Sequence, residues 1–159
     1  MNYKKIKFAA MTEEYARLIS CWKYEGEYAF YDHSEGDITG YMDGTHYACI
    51  DADGELIGYF CFGKDAQIPT VEEYVYDDEF LDVGLGLRPD VCGKGFGLFF
   101  LNEGLDFAKQ AFGTKQFRLS VAVFNERAIK VYQKAGFCVE REVINSYSMK
   151  KFLVMKYTC

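Results

Sequence analysis

Residues 80–112 confine this chain more tightly than any other stretch. A strand-like run over residues 80–88 is stopped by Pro89, a glycine cluster follows at Gly93, Gly95 and Gly97, and a helical pattern begins at once. Leu98, Leu101, Leu105, Ala108 and Phe112 recur at the spacing of one buried helix face, and Gly113 fits a C-terminal stop. Gly84 and Gly86 lie inside the strand, where glycine weakens pairing and marks a bulge or a close approach by another group. A bulged strand leaves backbone N–H and C=O groups that an extended amide ligand can use. The three loop glycines carry no Cβ, so their amides can come close to an anion. They front a helix whose unsatisfied N–H groups and dipole, roughly +0.5 charge at that end, favour one. Lys94 and Arg88 add positive charge nearby. The plainer use of such a loop is tight strand–helix packing.

The rest of the chain surrounds this unit with hairpins. Residues 6–10 read as a strand, and Thr12 caps a helix whose stripe is Tyr15, Leu18, Ile19 and Trp22. Residues 24–43 are aromatic and irregular, with room for a second short helix and a glycine-containing loop. Residues 46–52 and 55–63 are strand-like and joined through Asp53-Gly54, a hairpin signal. An acidic connection, residues 64–79, leads into the strand of the central unit. Beyond the long helix come a strand over residues 117–124, a helix opened by Asn125 and closed by Gly136, and strands over residues 137–143 and 151–157. The buried positions of that second helix are Ala128, Val131, Tyr132 and Ala135. Strands outnumber helices and hairpins flank a β-α-β core, which predicts a mixed α/β sheet with helices on its faces. Without a repeat or a linker, the 159 residues form one domain, 1–159.

Composition excludes several classes. Lys plus Arg is 18 against 24 Asp plus Glu, a net charge of −6, which argues against non-specific nucleic-acid binding. Six cysteines show no C-x-x-C spacing and the only histidines are His33 and His46, so no metal site is expected. No apolar run approaches the roughly 20 residues of a membrane span, and no apolar segment follows the basic N-terminus. The expectation is a cytoplasmic protein with free, mostly buried thiols and no membrane partner. Aromatic residues reach 18%, enough to build core and to leave some tyrosines, with Trp22, Tyr24, Tyr28, Phe30 and Tyr31 as candidates, for a pocket wall.

Neither common nucleotide loop fits: Lys94 precedes Gly95 instead of Ser or Thr, and the glycine spacing is not G-x-G-x-x-G. Residues 87–97, LRPDVCGKGFG, instead resemble the acyl-CoA pyrophosphate loop of the GCN5-related N-acetyltransferases, with pattern Arg/Gln-x-x-Gly-x-Gly/Ala at the start of a central helix. Gly95 and Gly97 match the glycines, and Cys92 stands where Arg or Gln is usual. Downstream, Asn125-x-x-Ala128-x-x-x-Tyr132 followed by Gly136-Phe137 is similar to the family's Asn-x-x-Ala-x-x-x-Tyr-x-x-x-Gly-Phe segment. The resemblance covers residues 80–140; the N-terminal half, which shapes the acceptor site in this family, matches only in element order.

The resemblance implies a mostly antiparallel central sheet of acyl-CoA N-acyltransferase type and direct acetyl transfer from acetyl-CoA to a primary amine of a small molecule or peptide. It implies that Leu85 and Leu87 pair with the pantetheine arm, and that Cys92, Gly93, Lys94, Gly95, Phe96 and Gly97 cover the pyrophosphate. Asn125 is either a helix cap alone or also a cofactor contact. Tyr132 is the candidate general acid, since a phenol of pKa near ~10 can protonate a thiolate of intrinsic pKa near ~8.5; its alternative is a core position. Six carboxylates crowd residues 72–82, and Glu79 and Asp82 are the candidates to deprotonate the amine, the others being solvated. Cys92 is also weighed as a nucleophile at a helix N-terminus, but no histidine is placed beside it by sequence. A homodimer is admitted by the same resemblance, and the competing reading is a non-catalytic acyl-CoA-binding or regulatory domain.

Overall fold

The computed structural model describes residues 5–32 and 38–158, so His33 lies outside the described residues. Seven strands and three α-helices follow one another as β1 (Lys7–Ala10), α1 (Glu13–Ser20), β2 (His46–Ile50), β3 (Leu56–Phe62), β4 (Leu81–Leu87), α2 (Gly97–Phe112), β5 (Gln116–Ala122), α3 (Glu126–Ala135), β6 (Cys138–Ile144) and β7 (Lys151–Thr158). The strands form one mixed, mostly antiparallel sheet in the order β1-β2-β3-β4-β5-β7-β6, with β4 and β5 parallel. The expected second helix within residues 24–43 is two 3₁₀ turns, Gly26–Tyr31 and Thr39–Tyr41. No helix among the described residues is long and apolar enough to cross a membrane.

Contacts gather the chain into two compact units, one of Met1–Cys61 with Leu85–Phe96, the other of Phe62–Gly84 with Gly97–Cys159. In the first unit, α1 starts where Thr12 accepts the N–H of Tyr15 at 3.2 Å. Its buried side is Ala16, Ile19 and Ser20, with Trp22 just beyond, while Leu18 is 51% exposed, against expectation. At about 100° per residue, a face centred between the 15/19 and 16/20 rows leaves position 18 pointing away. Ala16, Ile19, Trp22, Tyr41, Ala48, Ile50 and Leu56 form a buried cluster against which Tyr24 and Tyr59 pack. The β2–β3 hairpin turns on Asp51, whose Oδ1 accepts the N–H groups of Asp53 and Glu55 at 2.9 and 3.0 Å.

In the second unit, Phe100, Leu101, Leu105 and Ala108 of α2 and the inward residues of β5 and β7 are buried. Arg118 is the one charged residue of β5, and it is fully buried. It is the register partner of Asp82 on β4. Its Nε and Nη2 donate to the two carboxylate oxygens of Asp82, each at 2.7 Å. Nη2 also donates to the Asp77 carbonyl at 3.1 Å, Nη1 lies 3.6 Å from the Asp77 carboxylate, and the guanidinium sits 5.0 Å over the Tyr76 ring. Gln67 donates to Asp82 at 2.9 Å.

The acidic connection, expected to be mainly solvated, is therefore strapped down. Glu72 accepts the Ile144 N–H, a bond that holds its carboxyl below the usual carboxylate range. Tyr74 donates to Glu140 at 2.6 Å, and Thr70 bridges Asn145. Removing one partner of a buried pair strands the other charge and costs about 3–5 kcal/mol. Arg118→Met is expected to lower unfolding stability by that amount in urea titrations, and adding Asp82→Leu to recover most of it.

Candidate active site

β4 leaves its register with β5 early. The parallel pairing covers Leu81↔Phe117 and Asp82↔Arg118, whereas β5 continues its antiparallel register with β7 as far as Ala122↔Phe152. Leu85 and Leu87 lie in the later part of β4, half-buried, within the first unit. Gly86 between them has a definite reason. A Cβ there would fall 2.7 Å from Cζ of Tyr59, so the Tyr59 ring occupies the space a side chain would need. The Leu87 carbonyl accepts the Tyr24 hydroxyl at 2.8 Å. Burial, reinforced by the nearby Tyr59, Cys92 and Asp32, pushes the Tyr24 phenol up, so it stays protonated and donating. A carbonyl has two acceptor lone pairs, and the Cys92 thiol approaches the same Leu87 oxygen at 3.7 Å.

The loop after β4 is anchored at both ends and open between them. Arg88 is bidentate on Asp90 at 2.6 and 3.1 Å and donates to the Leu56 carbonyl at 3.0 Å. Its side chain is thus held by its own neighbourhood instead of standing as a mobile cation. The Cys92 thiol turns back toward the Leu87 and Arg88 carbonyls, at 3.7 and 3.6 Å. Val91 and Phe96 are buried, while Gly93, Lys94 and Gly95 are exposed. Gly93 and Gly95 adopt φ of 74° and 77°, the left-handed region that side chains disfavour. The chain then enters α2 at Gly97. α1 and α3 each begin under a side-chain cap, Thr12 or Asn125. Gly95 and Phe96, which precede α2, carry no side-chain oxygen of the kind that Thr12 and Asn125 supply.

The remaining sequence candidates lie in the second unit. The Asn125 carboxamide accepts the Ala128 N–H at 3.2 Å and so caps α3. Tyr132 is half-buried on α3, its ring 6.1 Å from that of Phe137. Val131 beside it reaches to 3.4 Å of where a Cβ on Gly97 would stand, so α2 and α3 approach closely there. Glu79 is exposed, its N–H donating to Asp77 at 3.0 Å. Both oxygens of Asp82 are engaged by Arg118 and Gln67. Trp22 is core, stacked 6.3 Å from Tyr59, and Tyr24 bonds the β4 backbone. Among the described residues no group of three or more metal-type side chains is arranged to hold an ion.

Two site features were missed from sequence. Arg118 carried a readable signal as the one charge inside its strand. Tyr59 carried none, since its place over Gly86 follows from strand pairing.

The Acetyltransferase (GNAT) family model matches residues 8–137. The spermidine N(1)-acetyltransferase of Vibrio cholerae serotype O1 is 30% identical over 61 residues, 38% of this chain. That match spans 35% of the relative's own length, about a third of it. Among solved structures, a chimera of the spermidine N-acetyltransferase SpeG from Vibrio cholerae with hSSAT superimposes with a TM-score of 0.73 at 19% identity, covering 98% of this chain and 96% of that one. AAC(6')-Ib in complex with paromomycin and acetyl-CoA gives 0.75 at 18% identity, covering 98% and 94%. At such identities the structures establish a shared fold. The family match runs through β4, the glycine loop and both downstream helices, and the chain belongs to the GNAT acetyltransferase family.

Proposed function

We propose that residues 1–159 act as one cytoplasmic N-acetyltransferase domain that moves an acetyl group from acetyl-CoA directly onto a primary amine. The observation that carries this reading is the exposed Gly93-Lys94-Gly95 tip, with both glycines in the left-handed region, leading straight into α2. Small residues and positive φ at a helix N-terminus let main-chain amides approach an anion closely. Acetyl-CoA brings the acyl group already activated as a thioester. The amides of residues 92–97 hold its pyrophosphate, with the Lys94 ammonium beside them, and the backbone of Leu85 and Leu87 aligns the pantetheine. An N–H of β4 near Leu85 polarises the thioester carbonyl. Asn125 fixes the start of α3, and Tyr132 on that helix gives its proton to the departing sulfur. Cys92 is a small loop residue whose thiol faces carbonyls, so transfer needs no acyl-cysteine.

The acidic connection draws a cationic amine toward the site. Asp82, committed to Arg118, holds the fold there, and exposed Glu79 contributes to the field. The names of the relatives make polyamines and aminoglycosides the first amines to try.

Coenzyme A at about 100 times its Kd is expected to stabilise the folded protein by about 2.7 kcal/mol, read as a raised Tm; no shift would end this reading. Gly95→Val is expected to abolish that stabilisation. No protein atom lies within 4 Å of the added Cβ, so the loss would report the φ of 77° and the blocked approach instead of a packing clash. Tyr132→Phe is expected to lower kcat by about 100-fold or more with KM little changed, checked by thiol release with a responsive amine.

A further inference from the structure

Among the described residues neither carboxylate expected to act as base is placed for it, because Asp82 is engaged and Glu79 stands in solvent. We infer that His46, held by Asp43, is the group that takes the proton from the acceptor amine. The inference rests on the N-acetyltransferase reading and adds to it a base that the sequence did not single out.

His46 opens β2 and is 9% exposed. Its Nδ1 lies 2.9 and 3.1 Å from the two oxygens of Asp43. That carboxylate is itself fixed, accepting the N–H and the hydroxyl of Thr45 at 2.8 and 2.9 Å. A carboxylate facing one ring nitrogen assigns the proton to that nitrogen and leaves the lone pair on Nε2. The same carboxylate stabilises the imidazolium once Nε2 has taken a proton. An oriented imidazole backed by a fixed anion is the arrangement a general base requires.

Its position fits the task. The Tyr41 ring meets the imidazole edge-on at 5.5 Å and the Tyr59 ring lies 6.0 Å away. Tyr59 is the residue seated on Gly86 of β4, and Tyr24, packed with the same cluster, bonds Leu87. His46 therefore stands one ring from the strand that holds the thioester in the proposed function. The titratable groups around it are Asp43 and Tyr41 from the turn before β2, and from β3 Tyr59 and Cys61, the register partner of His46.

The step balances as follows. The ammonium gives one proton to Nε2, and the freed nitrogen lone pair forms the C–N bond as the thioester C–S bond breaks. The sulfur leaves with its electron pair and takes a proton from Tyr132. The second proton shed by nitrogen returns to the Tyr132 oxygen through solvent, and the imidazolium releases its own. The products are the amide, the thiol and one proton.

The test uses His46→Asn, whose carboxamide N–H₂ reproduces the Nδ1 donor to Asp43 but offers no basic nitrogen. With acetyl-CoA and the fastest amine of a panel containing spermidine and an aminoglycoside, kcat/KM is expected to fall by about 100-fold or more. Stabilisation by coenzyme A should be unchanged. The wild-type profile of kcat/KM against pH should show an acid limb that the variant lacks. Asp43→Asn, which keeps the imidazole but removes the carboxylate that orients it, should lower kcat/KM by about 10-fold or more with coenzyme A stabilisation unchanged. Wild-type turnover and an unchanged acid limb in His46→Asn would overturn the inference alone, as would wild-type kcat/KM in Asp43→Asn should His46→Asn not fold. Absence of thiol release by the wild type with every amine would overturn the acetyltransferase reading, and this inference with it.

Discussion

The parting of β4 from β5 is set by one buried ion pair. Asp82 and Arg118 are register partners, they are the last registered pair of the two strands, and they bond through both carboxylate oxygens. A fully buried guanidinium is costly unless it is paired, and here Asp82 and the Asp77 carbonyl claim Nε and Nη2, the Asp77 carboxylate faces Nη1 at 3.6 Å without a hydrogen bond, and the Tyr76 ring covers its face. Sliding the strands by one residue would turn Arg118 or Asp82 to the opposite face and leave its partner buried alone. The pair thus specifies where parallel pairing stops, and with it which residues of β4 are released for another use.

Much of the chain's polarity serves that same economy of satisfied groups. Of the carboxylates clustered in residues 72–82, Glu72 takes a β6 amide, Asp77 takes an amide and faces a guanidinium, and Asp82 is paired. Glu73, Asp78 and Glu79 are exposed, as the solvated reading expects for most of the six, but charge patterning along a loop does not show which carboxylates the fold claims. Arg88 makes the same point in reverse: a cation next to a glycine loop invites an anionic ligand, yet Asp90, two residues on, already holds it.

Aromatic side chains in the first unit give β4 its other surroundings. Tyr59 fills the space above Gly86, Tyr24 donates to Leu87, and Trp22, Tyr41 and His46 pack around Tyr59. The glycine inside β4 was legible as a mark of close approach, but the approaching group is the protein's own tyrosine. His46 was set aside on sequence because nothing along the chain pairs it with a reactive group. Only strand pairing brings it under the ring that touches β4.

The sequence by itself determined the elements and the loop. Periodicity, the glycines at 93, 95, 97, 113 and 136 and the cap residues Thr12 and Asn125 are local, and local steric and hydrogen-bonding preferences act whatever lies around them. The paired motifs at residues 87–97 and 125–137 likewise pointed to the family, because backbone anion binding needs particular residues at particular spacings. Tertiary structure alone decided which side chains are spent on holding the fold and which stand ready for chemistry. Asp82 and Glu79 look alike in the chain, and only the burial of Arg118 beside one of them separates their roles. That distinction depends on desolvation and on partners far away in sequence, and neither is written in the spacing of residues.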